Sequence, residues 1–222
     1  MVLESYRAKV QPYIARLARP FLGWEPGNLS LVALLLAVGA GLLAVAVRFT
    51  TPYWFLGVAV LVFLAGLFDV LDGEVARATR RTSARGDFVD HVFDRYADVA
   101  ILLGIAVSTY ANPFLTLLAL ASLLLVSYMG TQAQAVGLGR LYGGLLTRAD
   151  RLVVLALVTF LEFDWSLPWP WAADLPWARF HVGGVEFTVI DVAMAYFVIA
   201  GQWTAVARAR RVYRALPPAG SG

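Results

Sequence analysis

The chain contains no cysteine, which excludes disulfide frameworks, thiolate nucleophiles and zinc sites built on cysteine. Charge is also scarce: 15% of the 222 residues are charged, against roughly 25% in a typical soluble domain. Hydrophobic residues make up 60% of the chain, and the mean hydropathy is +0.70. This excess is too large for a soluble core of this length and argues against disorder. The composition therefore predicts a polytopic membrane protein forming a single domain, 1–222.

Six apolar stretches reach or approach the length of a membrane-spanning helix, which is about 20 residues. The third is long enough only if its helix begins near Phe88 and includes several acidic residues. The fifth is long enough only if it extends by about a turn at each end. We therefore predict an all-α membrane domain with six transmembrane helices. Their apolar segments are Leu31–Val47, Tyr53–Phe68, Val99–Tyr110, Pro113–Val136, Leu152–Phe163 and Val189–Ala207.

The segments outside these spans have distinct compositions. Residues 1–21 lack the apolar run of a cleavable signal, and their apolar positions recur at alternating spacings of three and four. This period predicts an amphipathic helix on the membrane surface, with an ordinary helix packed on the domain as the alternative. The Trp-rich connection 164–188 is also expected at the membrane surface. Residues 215–222 are expected to form a disordered tail.

The basic residues, 17 of which are Arg and one Lys, alternate between the predicted loops. Fifteen fall in the N-terminal segment, the second–third loop, the fourth–fifth loop and the C-terminal tail. Only Arg48 and Arg179 fall in the opposite loops. Because short cytoplasmic loops are rich in Lys and Arg, we expect a multi-pass protein of the cell membrane with both termini in the cytoplasm. Topology then accounts for the net charge of +3, so we expect no nucleic-acid partner.

Seven of the fifteen acidic residues lie between Asp69 and Asp98, around the cytoplasmic ends of the second and third spans. Within each of the two helices, spacings of three and four residues place the acidic side chains on one face. Four carboxylates can therefore face the same site between the helices. There they would repel one another unless divalent cations neutralised them. Oxygen ligands without Cys or His favour Mg²⁺, Mn²⁺ or Ca²⁺ over zinc. The residues of the two faces are Asp69, Asp72, Gly73, Ala76, Arg77, Gly86, Asp90 and Asp94.

The other residues on these faces indicate a phosphate-bearing ligand. The small ones leave room for a ligand to approach the backbone, and Arg77 supplies a cation for a phosphate. The alternative is a set of helix-end acids that are solvated by water or paired with nearby arginines. That alternative accounts for a single Asp but not for the whole pattern. Asp98 lies one helical turn beyond Asp94, deeper in the predicted span, and is expected to be the buried partner of a polar group.

The pattern D-x-x-D-G-x-x-A-R, then eight residues, then G-x-x-x-D-x-x-x-D resembles the signature of the CDP-alcohol phosphotransferases, and every defining position matches. The resemblance implies a membrane enzyme, homodimeric in this family, that transfers a phosphatidyl-type group from a CDP-linked lipid to an acceptor hydroxyl and releases CMP. It implies that Asp94 is the general base. It implies two Mg²⁺ or Mn²⁺ ions held by Asp69, Asp72, Asp90 and Asp94. It also implies CDP contacts from Asp69, Asp72, Gly73, Ala76, Arg77 and Gly86.

Other segments extend the resemblance and bear on the acceptor. Pro26-x-Asn28-x-Ser30 is similar, with a shift, to a segment that precedes the first span in the family. Ser127-Tyr128 is similar to a pair found in members that use inositol phosphate. Acceptor contacts are accordingly expected from Gln132, Arg148 and Arg208, although those members usually have Arg where Gln132 stands. We expect a phosphorylated polyol acceptor, inositol phosphate first and glycerol phosphate as the alternative.

The donor lipid is left open by the sequence. Thr131-Gln132-Ala133-Gln134 resembles archaeal members of the family, so the expected donor is CDP-diacylglycerol or CDP-archaeol. A divalent-cation transporter is the alternative from another function class, since intramembrane carboxylates can line an ion pathway. Transport sites usually lie near the middle of the bilayer, whereas these acids cluster towards one face, which favours the enzyme.

Overall fold

The computed structural model describes residues 2–139, 144–145, 147–167 and 179–216. These ranges contain seven α-helices and one β-hairpin, so the predicted all-α class is confirmed for the body of the chain, with the hairpin as an addition. The helices are α1 (Val2–Ala18), α2 (Pro26–Val47), α3 (Phe55–Ala78), α4 (Ala84–Val107), α5 (Pro113–Ala135), α6 (Arg148–Ser166) and α7 (Val189–Ala215). The hairpin strands are β1 (Arg179–Val182) and β2 (Val185–Thr188), which pair antiparallel.

Each of the helices α2 to α7 overlaps one of the six predicted spans. In the described residues, four segments are long and apolar enough to cross a membrane: Pro26–Val47, Pro52–Ala78, Pro113–Ala135 and Val189–Ala215. Helices α4 and α6 are 24 and 19 residues long, but α4 carries charged side chains as far as Asp98 and α6 carries them near both ends. The chain is therefore a membrane protein with four helices of span composition, and the crossing of the bilayer by α4 and α6 stays a prediction.

The helices form one bundle. Helix α2 packs against α3 and α4, α5 packs against α4 and α7, and α6 lies against α3 and α7. A continuous apolar core joins these helices, and its largest fully buried side chains include Phe55, Ile101, Ile105, Met194 and Phe197. A smaller apolar cluster under α1 contains Ala18, Leu29, Leu71 and Val75.

Helices α2 and α4 approach each other backbone to backbone. A Cβ atom added to Gly41 would lie 2.2 Å from the carbonyl oxygen of Ala100, and one added to Gly104 would lie 2.2 Å from the carbonyl oxygen of Gly41. In lipid, where apolar helix surfaces gain little from leaving the solvent, such close packing of small residues drives helix association. The contact fixes α4, and with it the acidic residues of α4, against the bundle. The buried small residues of α2 are Ser30, Ala33, Ala37, Ala40, Gly41 and Ala44.

Helix α1 confirms a helix within the predicted segment 1–21, and a short 3₁₀ turn at Arg19–Phe21 follows it. Its Ala18 is buried, whereas Tyr13 and Leu17 are 68% and 53% exposed. The helix thus buries one side on α3 and leaves apolar side chains uncovered. This exposure is compatible with the predicted position at the membrane surface, which stays a prediction.

The structure adds detail to the connection 164–188 and to the C-terminal segment. The connection 164–188 contains the hairpin, whose turn residues Gly183 and Gly184 have φ values of 59° and 83°, as a tight two-residue hairpin turn requires. Helix α7 continues to Ala215, so the tail predicted from residue 215 was wrong at its first residue, because the helical hydrogen bonding continues there. Residues 217–222 lie outside the described residues, as do Trp169, Trp171 and Trp177 of the connection.

Substitution of Gly41 tests the close contact between α2 and α4. Gly41→Ala is expected to lower the stability of the folded protein by about 3 kcal/mol, because the new Cβ would overlap backbone atoms that cannot rotate away. Thermal unfolding of the purified protein in one detergent measures the effect.

The matched control is Gly39→Ala on the same helix. Its Cβ would lie 3.7 Å from Leu61 Cδ1, which is an ordinary contact. Because Ala is the better helix former, this variant should be neutral or gain up to about 1 kcal/mol. Equal unfolding midpoints for the two variants would contradict the contact.

Candidate active site

The acidic residues are held where the end of α3 meets the start of α4. Five residues, 79–83, connect the two helices. Arg80 adopts a left-handed conformation with φ 55°, and the amide of Arg81 donates to the carbonyl of Ala76 at 3.0 Å, which closes α3. The Ser83 hydroxyl caps α4 by accepting from the Gly86 amide at 3.1 Å. Helix α4 therefore starts at Ala84, ahead of the predicted start near Phe88, because Ser83 caps it.

The structure brings the four predicted carboxylates into two overlapping groups. Carboxylate oxygens of Asp69, Asp72 and Asp90 lie within 4.8 Å of one another, and so do ligand atoms of Asp90, His91 and Asp94. Two oxygens that each lie about 2.1 Å from one Mg²⁺ ion are at most about 4.2 Å apart, so small side-chain rotations suffice for each group to bind an ion. The residues present thus fit divalent-cation binding, and Asp90 belongs to both groups.

His91 is a residue that the sequence analysis missed, since it expected no His on this face. Its Nδ1 lies 3.7 Å from Asp90 Oδ2, and its Nε2 lies 3.5 Å from Asp87 Oδ1. The ring is long enough to reach both acidic neighbours from a position one residue off the predicted face. A nitrogen of His91 therefore adds a candidate ligand beside the carboxylates of Asp90 and Asp94.

Asp72 receives a hydrogen bond from outside the two acidic helices. It is buried, and the Ser30 hydroxyl of α2 donates to Asp72 Oδ2 at 2.7 Å. Ser30 belongs to the segment Pro26-x-Asn28-x-Ser30, whose similarity to the family was noticed in the sequence. Its contact attaches α2 to the acidic side chains of α3 and α4. We call these side chains, Asp69, Asp72, Asp90 and Asp94, the carboxylate row.

Two arginines of α6 compensate the negative charge of this row. Arg148, the first residue of α6, contacts Asp69 and lies with its Nη1 atom 2.6 Å from Asp94 Oδ1. Arg151, one turn later, donates to Asp98 Oδ2 at 3.1 Å. The expectation that Asp98 is the buried partner of a polar group is therefore confirmed.

A capping box positions both arginines at the start of α6. The amide and hydroxyl of Thr147 donate to Asp150 Oδ2 at 3.0 and 2.7 Å, and the Asp150 amide donates back to the Thr147 hydroxyl at 3.3 Å. This arrangement starts the helix at Arg148, and the side chains of Arg148 and Arg151 both reach acidic residues of α4.

A third arginine, Arg95 of α4, donates to Ser127 of α5 and lies 3.6 Å from Asp98.

The residues predicted to bind the acceptor are placed differently from one another. Arg148 contacts the carboxylates as described. Arg208 donates from Nη1 to the carbonyl of Val126 at 2.7 Å, which places it between α7 and α5. Gln132 is exposed on α5. The geometry thus joins one of the three, Arg148, directly with the carboxylates.

An elongated cavity of about 530 Å³ opens beside the carboxylate row, between α1, α3 and α6. Along α3 its lining runs from Val62 to Arg77, a helix distance of about 22 Å. The first part of this lining is apolar, and the last part contains Asp69, Gly73 and Arg77. A cavity that is apolar along most of its length and charged at one end has the polarity of a lipid with a charged headgroup. The apolar wall comprises Val10, Ile14, Val62, Phe63, Leu67, Val70, Leu152 and Val153.

Comparison with known proteins points to one family. The sequence model described as CDP-alcohol phosphatidyltransferase matches residues 25–183. The archaetidylinositol phosphate synthase of Pyrococcus horikoshii is 29% identical over 163 residues, which cover 72% of this chain and 84% of that protein. The phosphatidylinositol phosphate synthase of Cutibacterium acnes is 33% identical over 165 residues, which cover 70% of this chain and 72% of that protein.

A solved structure is similar over nearly the whole chain. It is the phosphatidylinositol phosphate synthase of Mycobacterium tuberculosis in complex with manganese and citrate. The TM-score is 0.71 at 25% sequence identity, with 94% of this chain and 92% of that chain covered. A manganese complex with this fold agrees with the carboxylate groups found here.

Removal of the Asp98 charge tests the arginine contacts of α6. Asp98→Asn is expected to lower stability by about 3 kcal/mol, because the buried Arg151 guanidinium loses its charged partner. Chemical unfolding in detergent micelles measures this loss. Asp87→Asn on the same helix removes a carboxylate that is 63% exposed and should change stability by about 0.5 kcal/mol or less. Losses of the same size in both variants would count against a buried Asp98–Arg151 pair.

Proposed function

The chain belongs to the CDP-alcohol phosphatidyltransferase family, and from this premise we propose that it transfers the lipid phosphate of a CDP-linked lipid to a hydroxyl of inositol phosphate, with release of CMP. The chain is accordingly a membrane enzyme of the phosphotransferase type. The observation that carries the proposal is that Asp69, which belongs to one of two overlapping carboxylate groups, lines the charged end of an apolar cavity.

The cavity supports a lipid donor, CDP-diacylglycerol or CDP-archaeol. Its apolar wall suits hydrocarbon chains, and its charged end supplies Arg77 for the diphosphate. A Cβ on Gly73 would lie 3.3 Å from Arg77 Nη1, so the missing side chain leaves room for the guanidinium and for the headgroup. We assign the CDP contacts to the motif residues Asp69, Asp72, Gly73, Ala76, Arg77 and Gly86.

Two divalent cations, Mg²⁺ or Mn²⁺, are assigned to Asp69, Asp72, Asp90 and Asp94. When bound, such ions neutralise the diphosphate and stabilise the leaving CMP. The protein's own part is to hold the four carboxylates on two helices whose positions are fixed by the short turn and by the α2–α4 contact. His91 is a further ligand candidate beside Asp90 and Asp94.

Asp94 is assigned as the general base and Arg148 as the residue that binds the acceptor phosphate. In the reaction, a hydroxyl oxygen of the acceptor bonds to the phosphorus that carries the lipid, the bond from that phosphorus to CMP breaks, and the hydroxyl proton passes to Asp94. Arg148 Nη1 lies 2.6 Å from Asp94 Oδ1, so the residues assigned these two roles are adjacent. An acceptor phosphate on Arg148 would hold its own hydroxyl near Asp94.

Several observations support inositol phosphate as the acceptor. The two curated relatives are named for products in which inositol phosphate is joined to a lipid phosphate. Arg148 supplies a phosphate-binding cation at the carboxylates, and Gln132 and Arg208 extend the proposed contacts. The basic loops support an active site on the cytoplasmic side of the cell membrane, and the family resemblance supports a homodimer.

Release of CMP by the purified chain tests this proposal. With Mn²⁺ and CDP-diacylglycerol or CDP-archaeol, CMP should appear on addition of inositol phosphate, more slowly with glycerol phosphate, and not without acceptor. Asp94→Asn should lower the rate by about 10²-fold or more, because the proton acceptor and a carboxylate ligand are lost together. Glu186→Gln, which removes an exposed carboxylate in the hairpin, should leave the rate unchanged.

Each arm of the assay has a result that would count against the proposal. Absence of CMP with every acceptor would reject the transferase reaction. Faster release with glycerol phosphate than with inositol phosphate would reject the assigned acceptor. A normal rate in Asp94→Asn would remove Asp94 as the base.

A further inference from the structure

Glu74 lies two residues after Asp72 on α3 but belongs to neither carboxylate group. It is buried on α3, and its Oε2 atom accepts two hydrogen bonds. One comes from Gln11 Nε2 of α1 at 2.7 Å, and the other comes from Arg77 Nη2 at 2.9 Å. The side-chain amide of Gln11 and the guanidinium of Arg77 therefore donate to the same carboxylate oxygen of Glu74.

Both donors line the cavity. Gln11 and Arg77 belong to its wall, as do Val10 and Ile14 of α1. The Arg77 side chain is half exposed, so the bond to Glu74 limits an arginine that would otherwise sample many rotamers. Holding a guanidinium in one orientation lowers the entropy lost when a phosphate binds to it.

The same carboxylate attaches α1 to the bundle. Among the side chains of α1 that the structure describes, from Val10 on, Ile14 and Ala18 belong to an apolar cluster with residues of α2 and α3. Further towards the N-terminus, Val10 is 41% exposed, and Gln11 supplies a long-range polar bond to α3. A hydrogen bond to an ionised acceptor that is partly withdrawn from water is among the stronger ones, so loss of this bond would loosen the wall of the cavity.

We propose that Glu74 is a positioning residue for the donor headgroup, which orients Arg77 and, through Gln11, fixes α1 as one wall of the donor cavity. Donor binding and the position of α1 are then coupled through a single carboxylate. This inference rests on the proposed function for the identity of the donor. The class of ligand that it concerns is a cytidine diphosphate attached to an apolar group.

Exchange of the two interacting side chains tests the coupling. Gln11→Glu places a second carboxylate against Glu74, and we expect about a tenfold weaker binding of CDP and about a tenfold higher donor KM. The kcat value and the acceptor KM should stay within about twofold, because Glu74 is not among the proposed acceptor contacts. The double variant Gln11→Glu/Glu74→Gln restores one carboxylate and one amide donor beside Arg77. It should recover donor binding to within about threefold of the unsubstituted chain.

Binding of CDP is measured by calorimetry on the full chain in detergent with Mn²⁺, and KM is measured from CMP release. Ala15→Glu, on an exposed position of α1, is the matched control for an added negative charge and should bind CDP normally. Unchanged CDP binding in Gln11→Glu would overturn the inference. So would a loss that the double variant does not recover, or a loss of the same size in Ala15→Glu.

The binding arm separates this inference from the proposed function. Loss and recovery of CDP affinity, without CMP release for any acceptor, would support the positioning role while rejecting the transferase reaction. CMP release by the unsubstituted chain, together with unaffected CDP binding in Gln11→Glu, would support the transferase reaction and reject the positioning role of Glu74.

Discussion

Compensation of buried negative charge is the constraint on which the arrangement of this bundle depends. Helices α3 and α4 bring five carboxylates close together inside a largely apolar protein, where an unpaired charge is costly. Three kinds of partner lower that cost: the Ser30 hydroxyl of α2, the arginines at the start of α6, and the divalent cations proposed here. The α2–α4 contact and the α3–α4 turn then keep the acidic helices in place. The five carboxylates are those of Asp69, Asp72, Asp90, Asp94 and Asp98.

The sequence was most informative where the structure is local. Spacings of three and four follow from the geometry of a single helix, so the common faces of Asp69 with Asp72 and of Asp90 with Asp94 could be predicted without tertiary information. The helices at the six apolar stretches followed from composition for the same reason. The burial of Asp98 against a polar partner followed from its position one turn deeper. Its partner, Arg151, is 53 residues away and could not be named from spacing.

The missed features depend on contacts between distant segments or on side-chain reach. His91 lies one residue off the predicted face, and only its ring length brings it to Asp90. The cavity forms where α1, α3 and α6 meet, and no single segment carries its pattern. The hairpin had a visible signal, the Gly183-Gly184 pair between two alternating stretches, which the Trp-rich composition of the connection obscured.

Family membership favours the enzyme over the cation transporter, whose only support was the intramembrane charge.

The two divalent cations proposed above would share Asp90, because this residue belongs to both ligand groups where α3 meets α4. The most direct test is a Mn²⁺ titration of the purified chain, followed by electron paramagnetic resonance. Two Mn²⁺ ions per chain should bind with magnetic coupling between them, and Asp90→Asn should weaken the binding of both, whereas Asp87→Asn should not. Binding of a single uncoupled ion, or an Asp90→Asn variant that still binds two ions normally, would contradict the account.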